Sequence, residues 1–128
     1  MDEIKTYKDE RGCLTIAESM GSVPFPISRI YWIYDVPQGA RRGCHANKIS
    51  YEYLVAVNGS VTVTLEDKNG RRTYNMCSKA KGLLLPPETW TELTDFSSDA
   101  VLLVFASHDY DLSTYINSHD EFLAYIKR

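Results

Sequence analysis

The segment Arg41-Arg42-Gly43-Cys44-His45-Ala46-Asn47-Lys48 gathers an imidazole, two guanidinium groups, an amine and a carboxamide, and Glu52 follows four residues later. An imidazole titrates near neutrality, so His45 can accept a proton from a substrate and return it. Arginine holds phosphate through bidentate hydrogen bonds, whereas lysine holds it as a point charge. This combination suits proton transfer on an anionic small molecule. If the segment is extended, His45 and Asn47 share one face with Arg41 and Gly43, while Arg42, Cys44 and Lys48 face the other way, because alternate strand residues point apart. A bend at Gly43 would change the facing of the two arginines. Other uses stay open here: His45 as a structural histidine, Asn47 bonded to its own backbone in a turn, and Glu52 paired with a nearby cation.

These side chains need strands to position them, and the rest of the sequence supplies strand signals. Val61, Val63 and Leu65 alternate with Ser60, Thr62, Thr64 and Glu66, which gives one buried and one wetter face. Asn58-Gly59 before this run is turn chemistry that predicts a hairpin between 51–57 and 60–65. Lys68-Asn69-Gly70 predicts a second turn, returning through 72–76. Further strands are expected over 14–18, 30–34, 82–85, 91–96 and 101–107, with Pro24, Pro26 and the pair Pro86-Pro87 as breaks. Only the tail reads as a helix. Ser118 is its expected N-cap, Asp120 and Glu121 lie in the first turn and Lys127-Arg128 in the last, and Phe122, Leu123 and Ile126 form the packing face. Many short strands in one stretch of chain predict a single all-β domain over 1–128, a small antiparallel barrel with a C-terminal helix.

Composition sets the outer limits. The chain has 128 residues and 44 % of them are apolar, enough for one core and too many for disorder. Seventeen Asp and Glu against 14 Lys and Arg give a net charge of −3, the wrong sign for a protein held to nucleic acid by general electrostatics. No apolar run suggests a membrane span or a signal peptide, so a cytoplasmic protein is expected. The three cysteines, Cys13, Cys44 and Cys77, form no close pair and are expected as small buried thiols. His108 and His119 are expected as solvated or capping residues, and Arg71 and Arg72 as a solvated hairpin tip. Nine Tyr, four Phe and two Trp suit a ligand pocket or an interface.

Taken in order, His45, Asn47, Glu52 and Gly59 resemble the first motif of the cupin superfamily, with Asn47 in place of its second histidine. Pro87-Glu88-Thr89-Trp90-Thr91 resembles the second, with Thr91 where a histidine would stand. Two of the usual four metal ligands are thus absent, and a carboxamide and a hydroxyl are weak ligands, so no metal is expected. The likeness extends through Arg11-Gly12, Pro24 to Tyr34, Arg42 to Ala46, Asn58-Gly59-Ser60, Asp95 to Asp99, Ser107 to Asp111, and Tyr115-Ile116. This ordered set resembles the WxcM-like sugar 3,4-ketoisomerase family, metal-free cupins acting on dTDP-4-keto-6-deoxyglucose.

The resemblance implies a jelly-roll cupin that moves a carbonyl from C4 to C3 of a dTDP-linked keto-deoxysugar through an enediol, in deoxysugar biosynthesis for surface polysaccharide. It implies no cofactor, no nucleic-acid or membrane partner, and a homodimer with the possible exchange of N-terminal strands. Residue by residue, it makes His45 the acid/base group, with Asn47 beside it where relatives have a second histidine. It makes Arg11, Arg29, Arg42 and Lys48 contacts for sugar or diphosphate, Tyr31 an aromatic wall, and Glu52, Trp90 and Thr91 further substrate contacts. Where many relatives carry an arginine after Tyr115-Ile116, this chain has Asn117. Two alternatives remain beside this reading: an isomerase or epimerase of another keto-sugar nucleotide, and a non-catalytic sugar-nucleotide-binding cupin.

Overall fold

A computed structural model describes residues 1–128. In chain order the strands are β1 (Asp2–Glu3), β2 (Thr6–Asp9), β3 (Gly12–Thr15), β4 (Arg29–Tyr34), β5 (Arg42–Asn47), β6 (Glu52–Asn58), β7 (Val61–Asp67), β8 (Gly70–Met76), β9 (Lys81–Leu85), β10 (Trp90–Thr94), β11 (Val101–Ala106) and β12 (Tyr115–Ile116), before helix α1 (His119–Ile126). Two five-stranded antiparallel sheets result, ordered β1-β9-β6-β11-β4 and β12-β5-β10-β7-β8, and β2 pairs only with β3 as a separate ribbon. The sheets do not close into one hydrogen-bonded barrel. They pack as the two layers of a jelly-roll sandwich, with Leu54, Leu102 and Val104 of the first sheet against Val63, Leu65 and Leu93 of the second.

The alternation read in 61–65 is present: Val61, Val63 and Leu65 are buried while Thr62 and Thr64 are half-buried. The Lys68-Asn69-Gly70 turn joins the paired strands β7 and β8. Asn58-Gly59 does something other than make the expected hairpin. Strand β6 pairs with β11 and β9, whereas β7 pairs with β10 and β8, so this turn carries the chain from one sheet to the other. Gly59 is left-handed (φ 65°), and a Cβ there would stand 2.8 Å from Ala100 Cα, so the crossing needs glycine on both counts. Turn chemistry reports the reversal of the chain but not which neighbour each strand pairs with afterwards.

The remaining faces are covered from the two ends of the chain. Ile4, Val23 and Phe25 pack over Tyr53, Val55 and Phe105 on the outside of the first sheet. Helix α1 covers the second sheet through Phe122, which packs with Ile116 of β12 on Ala46 and Trp90. Its N-cap is Ser118, whose side chain accepts from the Glu121 amide, and Asp120 and Glu121 lie in the first turn. The helix stops at Ile126, so Lys127 is its C-cap and not part of the last turn. Cys13 and Cys77 are exposed and Cys44 half-buried, against the expectation of buried thiols. Cys13 lies on the unpaired ribbon, which has no second layer to bury it. No helix is long and apolar enough to cross a membrane.

Candidate active site

The strand carrying His45 is not a simple alternation. His45 stands opposite Thr91, but Gly43 stands opposite Glu92 and Arg42 opposite Leu93, so Cys44 is an extra residue without a partner on β10. Gly43 and Cys44 are both left-handed, at φ 74° and 58°. Such a bulge inverts the facing of everything before it. Arg42 therefore turns inward with His45, and Arg41 turns outward to Glu92, with Nη1 2.7 Å from Oε1. This reverses the facing expected for a regular strand. A Cβ at Gly43 would come within 2.8 Å of the Thr91 carbonyl oxygen, so the bulge is fitted closely to β10.

Both sheets then contribute to one cavity of about 430 Å3. Arg29, Tyr31 and Glu52 enter from the first sheet, and Arg42, His45 and Thr91 from the second. The segment after β11 closes one side with Tyr110, Leu112, Tyr115 and Asn117. Of the ten residues expected at the site, these six line it.

The other four lie elsewhere. The Asn47 side chain is spent on the turn that follows β5: its Oδ1 accepts from the Ile49 and Ser50 amides, and its Nδ2 donates to Thr114 Oγ1. This is the backbone-capping use left open above. Trp90 lies on the opposite face of β10, beneath Phe122, with Nε1 donating to Glu92 Oε2 at 2.9 Å. Lys48 places Nζ over the Tyr125 ring. Arg11 is at the tip of the β2–β3 ribbon, 84 % exposed and paired with Asp9. Tyr110 and Tyr115 also line the cavity without being among the expected site residues; both lie in the segments of the family likeness, but aromatic content alone could not select them from nine tyrosines.

Inside the cavity the polar groups form one connected set. Tyr31 donates its hydroxyl to Glu52 Oε2 at 2.5 Å. Arg29 Nη2 donates to the Tyr115 hydroxyl at 3.1 Å, and its guanidinium lies over the rings of Tyr31 and Tyr110. Arg29 Nε is buried and has no protein partner. The His45 ring meets the Tyr115 ring edge-on, with centroids 4.8 Å apart.

Burial dominates the ionisation of these groups. It pushes the His45 imidazole below its ordinary value, and Arg29 and Arg42 push the same way, against a hydrogen bond with the Gly43 backbone. The imidazole is thus held in its neutral form at neutral pH, free to accept a proton. Burial raises the Glu52 carboxyl, an effect only partly offset by the Tyr31 hydroxyl and Arg29. Burial and the neighbouring Glu52 likewise raise the Tyr31 phenol, which stays protonated. A neutral base, a protonated phenol and two guanidinium groups around one cavity can move protons on a polyanionic substrate.

A metal does not fit this set. His45 and Glu52 are the only lining groups of the usual ligand types, and the Glu52 carboxylate is engaged by Tyr31. No three His, Cys, Asp or Glu side chains come together as a ligand cluster anywhere in the chain.

Comparison with known proteins agrees with the geometry. The family model described as "FdtA: WxcM-like, C-terminal" matches residues 1–127. The TDP-4-oxo-6-deoxy-alpha-D-glucose-3,4-oxoisomerase of Aneurinibacillus thermoaerophilus is 42 % identical over 124 residues, spanning 97 % of this chain and 89 % of that protein. Among solved structures, the sugar 3,4-ketoisomerase QdtA of Thermoanaerobacterium thermosaccharolyticum, in complex with TDP, superposes with a TM-score of 0.94 at 34 % identity, covering 98 % of this chain and 91 % of its own. A 3,4-ketoisomerase from Helicobacter canadensis superposes with a TM-score of 0.95, also at 34 % identity, covering 98 % of this chain and 95 % of its own.

Proposed function

This chain belongs to the FdtA, WxcM-like C-terminal family, and we propose that it is a sugar 3,4-ketoisomerase that converts TDP-4-keto-6-deoxyglucose into its 3-keto isomer. The observation that carries this reading is the single neutral imidazole facing a cavity walled by Arg29, Arg42 and the Tyr31–Glu52 pair. His45 removes the proton from C3, and the electron pair moves into a C3–C4 double bond as the C4 carbonyl becomes an enediolate oxygen. The Tyr31–Glu52 pair relays a proton to that oxygen, its carboxyl raised by burial and its phenol hydrogen-bonded to it. The C3 hydroxyl then gives its proton back to this pair as the C3 carbonyl forms, and the imidazolium of His45 delivers its proton to C4. Protons and electrons balance without an oxidant or a metal.

The rest of the cavity serves binding. Arg29 and Arg42 line the cavity and are the cations for the diphosphate. Tyr110, 63 % exposed at the rim, offers its ring to the thymine base. With 42 % identity over nearly the full chain to a 3,4-oxoisomerase, this reading is favoured over an epimerase and over a non-catalytic binding module.

The same proposal carries a cytoplasmic location, a role in deoxysugar biosynthesis for surface polysaccharide, and a homodimer. Supporting the dimer, the β2–β3 ribbon has no partner in its own subunit and exposes Tyr7 and Leu14, while the edge strand β4 exposes Ile30, Trp32 and Tyr34. Light scattering behind size exclusion tests the dimer. Carbon NMR of a reaction with TDP-4-keto-6-deoxyglucose tests the activity: the carbonyl resonance moves to C3, and a resonance that stays at C4 overturns the assignment.

A further inference from the structure

We infer that Glu66 and His119, on the outer face of the second sheet, form a positioning pair that fixes two walls of the cavity from behind. The inference rests on the ketoisomerase reading only for what the cavity binds, not for the coupling itself.

Strand β12 is the weak part of the site. It pairs over two residues only, Tyr115 with Asn47 and Ile116 with Ala46, yet it places Tyr115 against His45 and Arg29. So short an edge strand needs an anchor beyond its own ladder. Beside the packing of Ile116 on Trp90 and Phe122, a polar anchor stands at the start of α1, where His119 Nε2 meets Glu66 Oε1 at 2.7 Å, two residues past the cavity-lining Asn117.

Glu66 is not an isolated acceptor. Arg71 bridges Glu66 at 2.8 Å and Glu92 at 3.0 Å, and Glu92 also receives Arg41 at 2.7 Å and the Trp90 indole N–H at 2.9 Å. The Trp90 ring in turn stands edge-on to His119, with centroids 5.1 Å apart. One network therefore runs from His119, just after β12, to Arg41, just before Arg42 on β5. Its two carboxylates are well covered, with side chains 18 % and 14 % exposed, so they are screened less than ordinary surface pairs. On the inner face, Arg42 directly follows Arg41 of this network, and Tyr115 lies four residues before His119.

The pair Arg72–Asp67 on the same β7–β8 hairpin is a matched control, being an ion pair of similar exposure outside this network. The experiment compares wild type, His119→Ala, Glu66→Ala, His119→Gln and Arg72→Ala by amide hydrogen exchange and by TDP titration. The expected result is faster exchange at Tyr115–Asn117 and at Arg42–His45 in His119→Ala and Glu66→Ala, with about tenfold weaker TDP binding. His119→Gln, which keeps a donor, recovers affinity to within about threefold, and Arg72→Ala matches wild type in both readouts. Two alanine variants keep the test open should one fail to fold. Faster exchange confined to α1, or TDP affinity within twofold of wild type in both alanine variants, overturns the inference. If wild type itself does not bind TDP, the ketoisomerase reading falls, while the exchange data still decide the coupling.

Discussion

His45 stands edge-on to Tyr115, ring centroids 4.8 Å apart and planes at 82°, and the same tyrosine hydroxyl accepts a hydrogen bond from Arg29. One ring thus buttresses the base from the second sheet and the cation from the first. Tyr115→Phe keeps the ring and removes the acceptor. It is expected to leave kcat within about threefold and to weaken TDP binding about tenfold, the size of one hydrogen bond to a charged group. Calorimetric titration of TDP alongside steady-state rates checks the split.

Removing the imidazole has the opposite signature. His45→Asn should lower kcat by about 10²- to 10⁴-fold, the range for loss of a general base, with TDP affinity within about threefold. A variant that binds TDP normally and turns over normally would remove His45 from the chemistry.

Much of this site is legible in the sequence. His45, Arg29, Arg42, Tyr31, Glu52 and Thr91 meet in the cavity as the family likeness implies, although strand alternation alone places Arg42 on the face away from His45. What escaped the sequence depends on register. No residue type announces that Cys44 is a bulge, yet that one extra residue decides that Arg42 and not Arg41 joins His45. Asn47 shows the converse. A carboxamide where a family histidine stands suggests substrate contact, but a short polar side chain beside a tight turn is drawn to the free amides of Ile49 and Ser50. Asn58-Gly59 was readable as a turn and not as a crossing between sheets, since pairing partners are set by burial of β6 on both faces.

The bulge gives a direct structural prediction. At Gly43 (φ 74°) alanine must adopt a left-handed backbone, costing about 1–2 kcal/mol, and its Cβ would press on the Thr91 carbonyl. Gly43→Ala should lower the melting temperature and also reduce kcat/KM, because relief of the contact turns Arg42 and His45 from the cavity. Denaturant melts and kinetics on the same preparation check it.

Ionisation supplies two more predictions with opposite signs. His45 is held below the ordinary imidazole value of 6.5, so the acid limb of kcat/KM should fall below that pH. In stability, the unfolded imidazole takes up a proton that the folded one resists, so the contribution of His45 is present above about pH 6.5 and is lost as the pH falls through its folded value. Glu52 is raised above 4.5, so its contribution is fully present below 4.5 and is lost as the pH rises through the higher folded value. Glu52→Gln should therefore melt at a higher temperature than wild type at neutral pH, with the advantage vanishing toward pH 4, while its kcat falls. Melting curves across pH 4–8 check both signs.

The central claim is that His45 carries the proton between C3 and C4 of a TDP-linked ketosugar. Its most direct test is proton NMR of TDP-4-keto-6-deoxyglucose incubated in deuterium oxide with wild type and with His45→Asn. A 3-keto product is predicted with wild type, with deuterium at C4 to the extent that the His45 imidazolium exchanges with solvent before delivering its proton, and neither product nor deuterium at C3 or C4 with the variant. A 4-keto sugar left unconverted by wild type, or the same product formed with His45→Asn, would contradict it.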